Sequence, residues 1–317
     1  MTATASPTVR RRMLAAELRG IRKDKGESGY AVAAALRWSA SKVSRYERAR
    51  TGLQPREVEQ LLDYYQVTGS RREALLGLAE DATRKGWWEQ FADSLSDDYK
   101  QFIGLEHEAA SIAVWHVDVV PGLLQTQAYA RHIISSYSQI EPVTPAMIRR
   151  LVTVRMLRQQ VLDRTGSGLS VILDESVLRR RVGDDQVMHE QLHSLARAAQ
   201  RPNLTLQVLP LGSQHTVFSE SFVIFGFTAD GDAMPRDVLS AEHLRNSTTW
   251  ETERETFLHK IAFQILATSA LDPAASRSLI LQIAQCWSGT RCAPDECSRQ
   301  SSHAQPRPDA LPPPRST

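Results

Sequence analysis

Two stretches of this 317-residue chain carry side chains whose type and spacing could do chemistry. The first is His189-Glu190-Gln191-Leu192-His193. On a helix, histidines at i and i+4 share one face and could hold zinc, with Glu190 as the base of a hydrolase. That chemistry needs a third ligand. The extended form of the motif would place Gly at 196 and His at 199, where the chain has Ala196 and Ala199. The nearest downstream carboxylate, Glu220, lies beyond a strand-like run. The two histidines therefore read as solvated residues of an amphipathic helix with Leu192 and Leu195 on its core face, and no metal is expected. The second stretch is Ser39-Ala40-Ser41-Lys42-Val43-Ser44-Arg45-Tyr46-Glu47-Arg48. As a helix capped by Ser39 it buries Val43 and Tyr46 and turns Ala40, Ser41, Ser44 and Arg45 outward. Short hydroxyls beside a guanidinium fork suit hydrogen bonding to base edges in a DNA major groove.

Other polar groups have simpler roles. Asp174-Glu175 follows a strand-like run, where Asp174 can cap the next helix. Asp97, Asp98, Glu106 and Glu108 read as capping or solvated acids. No phosphate-binding Gly-rich loop and no Gly-x-Ser-x-Gly elbow occurs. The three cysteines, Cys286, Cys292 and Cys297, form no Cys-x-x-Cys pair, and an odd number near one end argues against a disulfide framework. The sequence assigns no catalytic residue, metal or cofactor, and the chain is read as a non-enzyme.

The elements that must position the second stretch are legible. Met13, Leu14, Leu18 and Ile21 recur at helical spacing over 9–25, and Gly26 stops that helix. Ser28 can cap a second helix to Leu36 with Val32, Ala33 and Leu36 inward. Ala33 is small enough for the next helix to approach, and Trp38 plugs the turn before Ser39. Two such helices joined by a short turn are the helix-turn-helix signature. Pro55 suits a first helical position, followed by the stripe Val58, Leu61, Leu62 and Tyr65. A fifth helix is predicted over 71–85, with Trp87, Trp88 and Phe91 as a bulky anchor that docks it onto a second domain. Beyond, helices are predicted near 98–110, 125–137, 144–163, 184–200, 251–268 and 272–286. Strands are predicted at Leu169–Leu173, Leu204–Leu209 and Phe222–Phe227, with a weaker one near Val238. These imply an α+β chain: an all-α N-terminal domain, then a mixed α/β domain with a sheet of three or four short strands flanked by helices. From Ser288 the composition turns to Pro, Ser, Arg and Gln, which predicts a disordered tail.

Charge is uneven. Residues 1–60 hold 13 Lys and Arg against 6 Asp and Glu, and the remainder 25 against 30. A basic head on an acidic body points to nucleic acid. No run of about 18 apolar residues occurs and no apolar signal stretch comes after Arg12, so a cytoplasmic location is expected.

The string at 39–48 resembles the XRE, or phage-repressor-like, helix-turn-helix family. That resemblance implies that Arg22 pairs with Glu47, that Ser41, Ser44 and Arg45 read bases, and that Lys42, Arg48 and Arg50 contact phosphates. The chain departs from the family at Arg37 and Ala49, where glycines are usual, and at Gly29, where many members carry a backbone-contacting Gln. Further strings extend the resemblance over about 10–285: Gly86-Trp87-Trp88, Val120-Pro121-Gly122-Leu123-Leu124-Gln125-Thr126, Tyr129-Ala130-Arg131, Leu173-Asp174-Glu175-Ser176-Val177-Leu178-Arg179-Arg180 and Val208-Leu209-Pro210. These are similar to actinobacterial regulators whose C-terminal domain has no known function and is described as antitoxin-like. The implied organisation is a DNA-binding domain at 9–70, a connecting helix with its Trp anchor at 71–90, an effector or partner-binding domain at 91–287 and a tail at 288–317. The implied function is a transcriptional regulator that binds double-stranded DNA as a homodimer and senses a ligand or small protein. The alternative is an antitoxin-like protein that binds a small cognate protein and autoregulates its promoter.

Overall fold

A computed structural model describes residues 7–83, 86–140, 142–164, 168–213, 220–227, 237–242, 247–250 and 253–288. The expected tail, with Cys292 and Cys297, falls at 289–317, outside the described residues.

The first five helices are α1 (Pro7–Asp24), α2 (Gly29–Ala35), α3 (Ala40–Glu47), α4 (Pro55–Tyr64) and α5 (Gly69–Ala82). Their starts obey local chemistry: Ser28 and Ser39 accept backbone N–H bonds from Ala31 and Lys42, and Pro55 opens α4. Leu14, Leu18, Ile21, Val32, Val43, Tyr46, Val58, Leu61, Leu62 and Tyr65 form one core with Leu75 and Ala79. Helix α5, expected as a connecting helix between the domains, thus contributes side chains to this core.

A 3-10 stretch, Trp87–Ser94, leads into α6 (Asp97–Glu108). Trp88 is buried with Leu95, Ile103 and Val154, against which Trp87 and Phe91 also pack. Next come β1 (Ser111–His116), α7 (Gln127–Ser136), α8 (Pro145–Arg158), β2 (Gly168–Asp174), α9 (Glu175–Arg179), α10 (Asp185–Ala198), β3 (Leu204–Leu209), β4 (Phe222–Gly226), β5 (Val238–Glu242), β6 (Ser247–Trp250), α11 (Glu253–Ser269) and α12 (Pro273–Cys286). Among the described residues the sheet has six strands in the order β3-β2-β1-β4-β5-β6, not three or four. Strands β1, β2 and β3 are parallel, with Val114 opposite Val171 and Val171 opposite Leu206, while β4, β5 and β6 join antiparallel. Parallel neighbours require long crossovers, and α7–α8 and α9–α10 fill them.

Strand residues alternate between faces. Val114, Val171, Leu206, Val223 and Val238 meet helices α6, α7, α10 and α12 through Phe102, Tyr129, Leu192 and Ile283. Trp115, Ile172, Leu209, Phe222, Ile224 and Leu239 meet Ala262 and Leu266 of α11.

Helix α1 serves both cores. Val9 and Met13 belong to the second and Leu14, Leu18 and Ile21 to the first. Close approach makes this possible at Gly104 of α6, where a Cβ would lie 2.0 Å from Thr8 Oγ1.

Two readings of polar residues need correction. Glu106 is not solvated: it is 4% exposed and accepts bidentate bonds of 2.8 and 2.7 Å from buried Arg158. Nor are the paired histidines of α10 simply solvated. His189 and His193 are half-buried, and His189 Nδ1 lies 3.0 Å from the Ala284 carbonyl of α12. Between them, fully buried Gln191 accepts from Thr126 N–H and donates to Leu124 O, fixing the loop before α7. Asp174 caps α9 by accepting from Ser176 N–H at 2.9 Å.

Candidate nucleic-acid interface

Helix α3 is held from both ends and from behind. At its start Ser39 Oγ takes the Lys42 N–H at 3.2 Å and lies 3.1 Å from Ser41 Oγ. Behind, Val43 and Tyr46 are each 2% exposed, and Trp38 meets Tyr46 edge to face with ring centroids 6.1 Å apart. At its end the chain turns through Ala49 at φ 55°. This packing orients the opposite side. Ser41, Arg45, Arg48 and Arg50 are exposed and Ser44 is half-buried. Arg45, Arg48 and Arg50 make no ion pair among the described residues.

The structure brings Arg22 and Glu47 together. Arg22 Nε and its second terminal nitrogen donate to the two Glu47 oxygens at 2.6 and 2.8 Å, and the first terminal nitrogen donates to Glu27 O at 2.7 Å. The fork ties α1 to the end of α3 and to the loop before α2. The bond to Glu47 raises the Arg22 pKa above its ordinary value. The Glu47 carboxylate, only 10% exposed between α1 and α3, is thereby neutralised.

Lys42 differs from its neighbours. Its Nζ pairs with Glu57 of α4 and sits 4.1 Å from the centre of the Trp38 ring. Glu57 also accepts the Gln54 N–H at 2.8 Å. Burial pushes the Glu57 carboxyl up, but its bonds from Lys42 and Gln54 outweigh that and hold it below its ordinary value. Lys42 is thus a strut between α3 and α4.

The basic excess of the N-terminal segment also divides. Arg10 pairs with Asp81 at 3.6 Å, Arg12 is buried, and Arg11 has its pKa lowered by burial against the opposing pull of Glu89 and Asp97. These three arginines serve the junction between the two cores. The charge asymmetry read from composition therefore overstates the charge available on the outer side of α3.

A cleft of about 430 Å³ runs beside α3, lined by Arg19, Gly29, Tyr30, Ser41, Ser44 and Arg48 among others. Arg19 and Tyr30 escape sequence reasoning about α3 because they lie on α1 and α2. Tyr30 is 79% exposed; a signal existed in its large aromatic ring outside the Val32, Ala33 and Leu36 face. Arg19 could be found as the exposed basic residue three before Arg22.

Two family models match the chain. A helix-turn-helix domain matches residues 13–75, and a domain of unknown function, DUF5753, matches residues 99–282. No curated protein and no solved structure matches it. Among the described residues no helix is long and apolar enough to cross a membrane.

Proposed function

Because the chain belongs to the DUF5753 family and carries a helix-turn-helix domain ahead of that domain, we propose that it is a sequence-specific transcriptional regulator with an XRE-type reading head. The observation that carries this is the outward side of α3: Ser41, Ser44, Arg45 and Arg48 face away from a helix locked by Val43, Tyr46 and the Arg22–Glu47 fork. A rigid helix presenting short hydroxyls and free guanidinium groups is what major-groove readout requires. Ser41, Ser44 and Arg45 read bases, Arg45 through a bidentate bond to guanine. Arg48 and Arg50 contact phosphates, joined by Arg19 and by the Tyr30 hydroxyl from across the cleft. Lys42 acts through Trp38 and Glu57 as an internal support.

The second domain receives the signal, a ligand or a small protein, and the protein acts as a homodimer on a two-fold site. Helix α1 supports the coupling, since one continuous helix of 18 residues supplies side chains to both cores. Any signal appears as a change in DNA affinity.

Fluorescence anisotropy on the promoter of the protein's own gene, against scrambled DNA and across a salt series, tests the reading. Arg45→Ala costs ~1–3 kcal/mol of the preference for the promoter. Arg19→Ala weakens both DNAs alike and lowers the salt slope by about one. If wild type shows no preference on any fragment from that locus, or Arg45→Ala leaves the preference intact, the assignment of α3 as the reading helix fails.

A further inference from the structure

Helix α11 is apolar on two sides, and the second domain uses one. Ala262 and Leu266 are buried against the sheet, with Phe263 and Ala267 packed beside them. Away from the sheet, Phe257, Leu258, Ile261 and Ile265 are 62%, 47%, 38% and 42% exposed. At about 100° per residue these four fall within roughly a quarter of the helix circumference. A surface helix ordinarily places polar residues there. Exposed single hydrophobics need no explanation, but a row of four on one helix marks an interaction surface.

We infer that this stripe is a self-association surface on which a second copy of the chain packs its own α11 antiparallel, with Ile261 at the two-fold axis. The stripe is self-complementary in that arrangement. Phe257 and Ile265 lie four residues either side of Ile261, so each Phe257 meets the partner's Ile265 while Ile261 meets itself. The ends match as well. Arg254 projects on the same arc and has no ion pair among the described residues. An antiparallel copy brings it to the C-terminal turn of the partner's α11, which carries no basic residue of its own, and a cation there complements the helix dipole. A lipid surface fits less well: beside the stripe Lys260 is paired with Asp237, which leaves Arg254 as the one unpaired Lys or Arg among the described residues of α11, and anionic membranes are met by clusters of free cations.

Size sets the strength. Four half-exposed large side chains offer on the order of 300 Å² of apolar surface, against about 800 Å² per partner in a standard stable interface. Two copies together bury on the order of 600 Å² of apolar surface, short of the ~1,600 Å² of a standard interface, and Arg254, Gln264 and Thr268 add a polar rim, so the dimer is weak. This inference goes beyond the DNA-binding reading and supplies the two-fold that reading uses. It is tested without DNA, so either can fail alone.

The test is sedimentation equilibrium of the full chain up to about 100 µM, where the weakest specific interfaces still register. Wild type shifts from monomer to dimer, and Ile261→Asp stays monomeric with an unchanged circular dichroism spectrum. In a background with Cys286, Cys292 and Cys297 changed to Ser, Ile261→Cys cross-links to itself under mild oxidation, whereas Ser278→Cys, at an exposed position of α12, does not. A wild type that stays monomeric throughout overturns the inference. So does a dimer that survives Ile261→Asp, or a chain that dimerises only after removal of 289–317, which would make that segment the occupant of the stripe.

Discussion

Replacing Arg37 and Gln66 with glycine should stabilise the first core, whereas replacing Ala49 should not. Helices α1 to α4 all end in the same way. The residue after each cap takes a left-handed backbone: Gly26 at φ 69°, Arg37 at 57°, Ala49 at 55° and Gln66 at 53°. In each, the following N–H reaches back five residues, Glu27 to Arg22, Trp38 to Ala33, Arg50 to Arg45 and Val67 to Leu62, at 2.8–3.0 Å. Only the first has the glycine this geometry favours. For the other three the left-handed conformation costs ~1–2 kcal/mol, which glycine removes. Glycine also raises the entropy of the unfolded chain, costing about 0.4–1 kcal/mol. Arg37 and Gln66 are exposed and lose nothing further, so each change nets ~0.5–1 kcal/mol in favour of folding. Ala49 is 7% exposed, and loss of its methyl costs a further ~0.8 kcal/mol, leaving it neutral or slightly destabilised. Native-state hydrogen exchange at the amides of Val43 and Tyr46, in free protein, reads the difference as a roughly two- to fivefold slowing. If Arg37→Gly and Gln66→Gly exchange as fast as wild type or faster, while Ala49→Gly slows exchange, the account of these helix ends is wrong.

Buried and shared charges give two further outcomes. Glu106→Ala takes the carboxylate away from the buried Arg158 guanidinium at the junction of α6 and α8, a loss of ~3–5 kcal/mol, whereas Glu106→Leu combined with Arg158→Met recovers most of it. Urea denaturation monitored by tryptophan fluorescence checks both, and a single variant as stable as wild type would refute the pair's role. The clamp between α3 and α4 is acid-labile. With the Glu57 carboxyl held below its unfolded value, its contribution is complete above the ordinary glutamate pKa and lost as pH falls through the lower folded one. Glu57→Gln removes that part of the acid dependence, and a melting-temperature profile between about pH 6 and 3 compares the two. Identical slopes would dismiss the clamp.

The features legible in the sequence were local. Ser28, Ser39 and Pro55 announce helix starts within three or four residues of the bonds they serve, and the inward face of α3 repeats every turn. The strand runs at Leu169, Leu204 and Phe222 stood out for the same reason. Strand β1 did not. Ile112-Ala113-Val114-Trp115 comes after a helix without turn signals, and because a central strand is covered on both faces it shows no alternation to separate it from helix. Arg19 and Tyr30 were missed because the cleft beside α3 takes its wall from two other helices.

The chain by itself determined that its first quarter would form a helix-turn-helix, and which side of α3 would face outward. Helix periodicity and capping depend on residues a few positions apart, and the chain carries those relations in any conformation. Only tertiary structure decided which charges remain free. Glu106 and Arg158 are 52 residues apart, and Lys42 meets Glu57 fifteen residues on. Whether such a charge is solvated, buried or paired depends on which segments the cores bring into contact. The same is true of Arg10, Arg11 and Arg12, basic in composition but placed at the junction of two cores. It is true also of α11, whose sequence is apolar on both sides, and on which only the sheet beneath decides which side is left to meet another molecule.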